Sequence, residues 1–170
     1  MALPPPPAGW TRVVVKSKFG MGRDFEVSDV EGNALLYVDG KVGMTPKAEV
    51  RAGAALDQVV YRIQGQFLGV PKRMTITAAD GAEVASLKSK FFSPIKSRMT
   101  MTHAGGDAWE VEGSFIEKNY AVRSNGEPIV QVTQKWMTVR DSYTVDAAPG
   151  TDPALAMAIV WAIDRWVERD

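Results

Sequence analysis

Ala154-Leu155-Ala156-Met157-Ala158-Ile159-Val160-Trp161-Ala162-Ile163 is the longest apolar run in the chain. Its composition favours a helix. Thr151 or Asp152 can cap the N-terminus, and Pro153 suits the first turn. The run is apolar on every face rather than along one stripe, so such a helix must be surrounded. Lipid cannot do this, because a membrane span needs about 20 apolar residues. Protein must enclose it. Alanine at 154, 156, 158 and 162 keeps the helix slim, and polar residues return at Asp164, Arg165, Glu168, Arg169 and Asp170, where it emerges. The expected helix spans about 152–168.

The enclosing structure is legible upstream. A β-like run is closed repeatedly by a polar residue followed by an aromatic or apolar one: Lys16-Ser17-Lys18-Phe19, Gly40-Lys41-Val42, Gly65-Gln66-Phe67-Leu68, Lys88-Ser89-Lys90-Phe91-Phe92, Gly113-Ser114-Phe115-Ile116 and Gln134-Lys135-Trp136-Met137. The closing residues at 19, 42, 67, 91, 115 and 136 are 21 to 25 apart, a repeat signal. Each period holds two alternating strands and a turn. Arg23–Ser28 alternates, 29–33 turns and Ala34–Val38 returns. Lys72–Thr77, Asp80-Gly81 and Glu83–Lys90 repeat the pattern, as do Lys118–Arg123, Asn125-Gly126 and Ile129–Trp136. Asp-Gly and Asn-Gly suit hairpins in which both central residues need positive φ. Six periods predict about twelve short antiparallel strands. The economical arrangement is mainly β: a closed antiparallel barrel around a central hydrophobic C-terminal helix, which also removes edge strands.

Composition agrees with one domain. The 170 residues are 45% apolar and 24% charged, globular values. Residues 1–10, with Pro4 to Pro7, read as a Pro-rich disordered leader, and 11–170 as a single barrel domain. The leader lacks the basic and apolar regions of a secretory signal, so a cytoplasmic protein is expected. No Cys and one His exclude a disulfide framework, a thiolate or His-pair metal site and a Cys nucleophile. No cofactor or metal is expected. Twenty Lys+Arg against 20 Asp+Glu argue against a nucleic-acid binder.

Segments 12–42, 83–98, 107–146 and 152–168 together resemble the LURP-one-related family of the tubby C-terminal-like superfamily. The stretches that carry the likeness are Phe25–Asn33, Lys88–Pro94, Trp109–Phe115 and Ala156–Asp164. The resemblance implies a twelve-stranded barrel around a hydrophobic helix. It also implies kinship of fold with phosphoinositide-binding tubby domains and phospholipid scramblases, but it implies no reaction, and fold alone does not give function.

Catalytic constellations read as structure. His103, beside Gly105-Gly106, has no Gly-x-Ser-x-Gly nucleophile to serve, with Ser97 or Ser114 the nearest candidates. Gly20-Met21-Gly22 precedes a strand, whereas a dinucleotide loop needs a helix there. Asp29, Glu31 and Asn33 have a superficial calcium-loop spacing but read as a turn. Glu110 and Glu112 share the solvated face of a strand. The protein is therefore expected not to be an enzyme.

Charge distribution is more informative. Residues 1–103 hold 14 Lys+Arg and 9 Asp+Glu, net +5, and 104–170 hold 6 and 11, net −5. Between 62 and 98, Arg62, Lys72, Arg73, Lys88, Lys90, Lys96 and Arg98 face only Asp80 and Glu83. Parity puts Lys88 and Lys90 opposite Leu87 and Phe91, and Arg98 opposite Met99 and Met101. The candidate ligand residues are Lys72, Arg73, Lys88, Lys90 and Arg98. They suggest a non-enzymatic binding module for anionic phospholipid headgroups, peripheral to a membrane. The alternatives are a structural or protein-interaction barrel and scramblase-like lipid transport.

Overall fold

A computed structural model of the chain describes residues 4–18, 23–66, 72–89, 98–134 and 142–168, with the backbone alone at 89, 98 and 168. Twelve strands form one closed antiparallel barrel: β1 (Thr11–Ser17), β2 (Phe25–Ser28), β3 (Ala34–Lys41), β4 (Lys47–Ala52), β5 (Gln58–Gln66), β6 (Lys72–Ala78), β7 (Glu83–Ser89), β8 (Arg98–His103), β9 (Ala108–Ser114), β10 (Asn119–Ser124), β11 (Glu127–Thr133) and β12 (Ser142–Ala147). Each strand pairs with its sequence neighbour, and β1 pairs with β12 to close the ring, Thr11 opposite Ala147 and Lys16 opposite Ser142. One helix, α1 (Pro153–Glu168), follows.

The period-two alternation decides which side chains face inward. Val13 and Val15, Phe25 and Val27, Leu36 and Val38, Ile63, Met74 and Ile76, Trp109 and Val111, and Val130 and Val132 are all buried on the lumen side. Twelve strands about 4.8 Å apart enclose a ring at least about 18 Å across. That is wider than wall side chains alone can fill. Helix α1 occupies the remainder, with every residue from Ala156 to Asp164 buried. Alanines on several sides let the helix axis approach the walls. The Asp152 carboxylate accepts from the Ala154 amide at 2.9 Å, so Asp152, rather than Thr151, is the cap.

The up-and-down order gives the barrel two unlike ends. At the end where α1 begins, the connections 29–33, 53–57, 79–82, 104–107, 125–126 and 148–152 are tight. Asn125 (φ 53°) and Gly126 (φ 81°) both take positive φ, as expected for this turn. At Asp80-Gly81 only Gly81 does (φ 90°), and the ladder shifts register between Ile76 and Thr77 instead. A bulge supplies there what a second positive φ would have supplied. Of the closing residues of the sequence repeat, 42 and 115 lie at the other end, the exit end, where α1 leaves the barrel, and 19, 67, 91 and 136 lie outside the described residues. One repeat is one hairpin, so residues a period apart return to the same end.

Two glycines of the closing pattern have packing reasons. Gly113 (φ 139°) faces Tyr120 across the ladder, and a Cβ there would meet the Asn119 carbonyl at 2.5 Å. At Gly65 a Cβ would press on Pro46 and the Met74 sulfur, and the Gly65 amide donates to the Pro46 carbonyl at 2.7 Å. The 42–46 connection is thereby pinned onto β5.

Outside the lumen, Arg12 grips Asp146 with two hydrogen bonds, at 2.7 and 2.9 Å, across the β1–β12 seam. Its remaining nitrogen donates to the Pro4 carbonyl. The side chains of both partners are largely covered, so this bidentate pair reinforces the strand pairing that closes the ring.

Three outcomes follow for stability. Trp161 is 1% exposed and donates from Nε1 to the Arg23 carbonyl at 2.9 Å. Trp161→Asp would bury an uncompensated carboxylate at a cost of several kcal/mol, set against a total stability of about 5–15 kcal/mol. We expect no cooperative melt by circular dichroism, and a melt near that of the wild type would place the helix outside the barrel. Gly113→Ala should cost about 1–3 kcal/mol through backbone strain, and an unchanged urea midpoint would contradict that.

The third outcome concerns pH. All four tyrosines resist ionisation. Tyr37 is pushed up to about 12, chiefly by donating to Asp24. Tyr61 is pushed up to about 12 by burial and then by Asp152. Tyr120 and Tyr143 are raised well above the ordinary phenol range, first by burial and then by the Asp164 charge. Unfolded phenols release their proton near pH 10, so this stability is whole below about pH 10 and is lost as pH rises towards and beyond 12. Phenolate absorbance and loss of circular dichroism should rise together in one alkaline transition. Gradual ionisation near pH 10 with the fold intact would refute it.

Candidate functional site

Helix α1 fills the lumen, with Ala156 to Asp164 all buried. Its polar content gathers where the helix leaves. Lys118 Nζ binds the Asp164 carboxylate at 2.7 Å and lies 5.9 Å from the centre of the Tyr143 ring. Tyr120 and Tyr143 are buried beside them. Their protons are held too tightly for a phenol to act as a base near neutrality. This cluster neutralises the one acid that α1 carries into the barrel. Nearby, Lys72 stacks on the Trp166 ring at 4.4 Å and donates to its carbonyl at 3.4 Å, a favourable place for a cation at a helix C-terminus.

The other constellations are structural. His103 stacks on Trp109 at 4.5 Å, and its carbonyl accepts from the Gly106 amide. Ser114 Oγ accepts from the Glu117 amide. Asp29 spends its carboxylate on the amides of Glu31 and Asn33 and on the Asn33 side chain. Glu110 and Glu112 lie on the exposed face of β9. Gly20-Met21-Gly22 and Ser97 lie outside the described residues. Among the described residues, no group of three or more His, Cys, Asp or Glu could hold a metal ion.

The outer wall is different. A groove of about 400 Å³ runs across β4, β5 and β6 towards the exit end. It is lined by Lys41, Lys47, Arg62 and Arg73, by one acid, Glu49, and by neutral donors that include Gln64, Gln66 and Thr75. The acid is already occupied. Arg51 reaches Glu49 at 2.7 Å, Lys41 at 3.4 Å and Arg62 at 3.8 Å, and the hydrogen bond from Arg51 first, then that from Lys41, holds its carboxyl below the usual carboxylate range. None of the ion pairs among the described residues involves Lys47, Arg73 or Lys88. Lys88 stands directly opposite Arg73 on the neighbouring strand, both exposed. The wall thus presents cations beside neutral hydrogen-bond donors, which suits an anion with several oxygens. A second groove, of about 550 Å³ on the wall of β1–β3, holds Lys16 and Glu26 as register partners, so its charge is balanced.

The five residues singled out from sequence therefore separate. Arg73 and Lys88 meet on one wall, the outward side that parity gave Lys88. Lys72, one residue from Arg73, takes the opposite parity and turns to Trp166. Arg98 lies opposite Glu112 on β9, and its side chain is outside the described residues, as is Lys90. Lys47 and the paired glutamines went unnoticed in the sequence. The signal for Lys47 was the alternation Lys47-Ala48-Glu49-Val50, which puts it on the outer face of β4.

Known proteins agree with this architecture. A sequence model of the LURP-one-related family matches residues 11–164. A protein of Arabidopsis thaliana solved by X-ray methods is similar in structure, with a TM-score of 0.65 and 18% identity, over 94% of this chain and 93% of that one. Among curated proteins none matches the chain. The family match runs from the first strand of the barrel into the buried helix, and the chain belongs to the LURP-one-related family.

Proposed function

We propose that this barrel is a non-enzymatic module that binds the headgroups of anionic phospholipids at a membrane surface. The supporting observation is the outer-wall groove, in which Lys47 and Arg73, with Lys88 beside Arg73, stand outside the ion pairs that saturate Glu49. A phosphate seated there would gain charge-assisted hydrogen bonds from lysine and arginine and neutral ones from Gln64, Gln66 or Thr75. Cations held near an anionic surface contribute about 1 kcal/mol each, so three acting together give useful but salt-sensitive affinity. Scramblase-like transport finds no support in a helix of this kind, since no described helix is long and apolar enough to cross a membrane.

Flotation with phosphatidylcholine vesicles, with and without phosphatidylserine, tests the proposal. The protein should float with the anionic vesicles only, and less so as salt rises. Arg73→Glu with Lys88→Glu, both exposed positions, should abolish flotation while leaving the melting temperature near that of the wild type. Equal recovery with neutral vesicles, or no loss in the double variant, would overturn it.

A further inference from the structure

The antiparallel order sorts charge along the barrel axis. At the end where α1 begins, the six tight connections contain Asp29, Glu31, Asp57, Asp80, Asp107 and Asp152, and not one Lys or Arg. Glu83 and Glu127 open the strands that leave two of these turns, and of the cations on strand ends here Arg12 is paired with Asp146, Arg51 with Asp39 and Glu49, and Arg123 donates to the Gly126 carbonyl. At the exit end the described cations Lys16, Lys18, Arg23, Lys41, Lys47, Arg73, Lys88 and Lys118 gather on strand ends and connections. Most of the described acids at that end are engaged. Asp24 accepts from Tyr37 and the Gly40 amide, Asp39 binds Lys41 and Arg51, Glu26 binds Lys18, and Asp164 binds Lys118.

Exposed apolar side chains add a second, independent observation. Val42 is 67% exposed, Met44 82% and Ile116 84%. They sit on the connections 42–46 and 115–118, both at the exit end, whereas Val30 (63%) and Leu35 (39%) lie at the turn end beside the acids Asp29 and Glu31. These connections lie on opposite sides of the ring: β5 to β8 separate them one way, and β11, β12, β1 and β2 the other. A flat surface that touches both tips must lie across the barrel mouth. Lys41 and Lys47 bracket one tip, and Lys118 lies two residues beyond Ile116 at the other.

We infer that the barrel docks end-on to an anionic bilayer, with Val42, Met44 and Ile116 entering the headgroup layer and the acidic turn end held away in water. This rests on the proposed lipid binding and adds its orientation. Lys47, with Arg73 and Lys88 towards the same end, meets lipid phosphates while the apolar side chains lose water, the pairing of forces that holds peripheral proteins on membranes. An anionic surface also repels the far end, so the same field that attracts the molecule turns its mouth to the membrane. The 42–46 connection, pinned to β5 through Gly65, sets the outer-wall groove next to the bilayer when its tip is immersed.

The absence of Cys makes the test clean. Single variants Met44→Cys, Ile116→Cys, Asp80→Cys and Asp107→Cys, all at exposed positions, carry a polarity-sensitive fluorophore and are mixed with vesicles of equal parts phosphatidylcholine and phosphatidylserine. Both exit-end labels should shift to the blue and be quenched by brominated acyl chains, while both turn-end labels stay unchanged. The double variant Met44→Ala, Ile116→Ala should bind about tenfold more weakly. Response at only one exit-end label would show a side-on pose and overturn the inference, as would any response at the turn end. A response that needs protein concentration and no lipid would make the mouth an interface between copies and likewise overturn it. Loss of flotation in the unlabelled protein is the separate result that would remove lipid binding itself, and the orientation with it.

Discussion

A ring of twelve strands is too wide to close over its own side chains, and the structure depends on what fills it. Helix α1 does so because it is apolar all round and slim, with alanine at 154, 156, 158 and 162. Burial of Trp161, Met157, Ile159 and Ile163 ties barrel and helix into one cooperative unit, since neither part can keep its apolar surface from water alone. The hydrogen bond from Trp161 to the Arg23 carbonyl, and the contact of Lys118 with Asp164, fasten the helix where it leaves. With α1 at the centre, the two grooves described above lie on the outer wall.

The same topology arranges charge. The turn end carries acids around the positive end of α1, and the exit end carries cations around its negative end, an arrangement that complements the helix macrodipole. It also separates two surfaces of opposite sign by the length of a strand. The outer-wall groove belongs to the basic half. There Glu49 is engaged by Lys41, Arg51 and Arg62 in a cluster of ion pairs that adds little to stability, and Lys47, Arg73 and Lys88 stand outside that cluster.

Much of the fold is legible from residue order. Alternation at Lys72–Thr77 and Glu83–Leu87 returns as inward Met74, Ile76, Ala85 and Leu87. The Asn125-Gly126 turn takes both positive φ values. The closing pattern at 19, 42, 67, 91, 115 and 136 counts hairpins correctly because a turn, a length of strand and a reversal occupy a nearly constant number of residues. The candidate site is legible only in part. Parity puts Arg73 and Lys88 outside, but Lys72 follows the same rule to the other side, where Trp166 receives it. Lys47 joins them from a strand some 25 residues earlier in sequence, through register alone.

Residue order by itself determined the strand count, the closed ring and the buried helix, because each follows from local periodicity and from the cost of exposing an apolar surface. It divided the charge as a basic first part and an acidic remainder. Only the tertiary structure showed that the division runs along the barrel axis instead. Antiparallel strands bring residues one hairpin apart to the same end, so electrostatics depends on distance through space, and a count along the chain averages the two ends together.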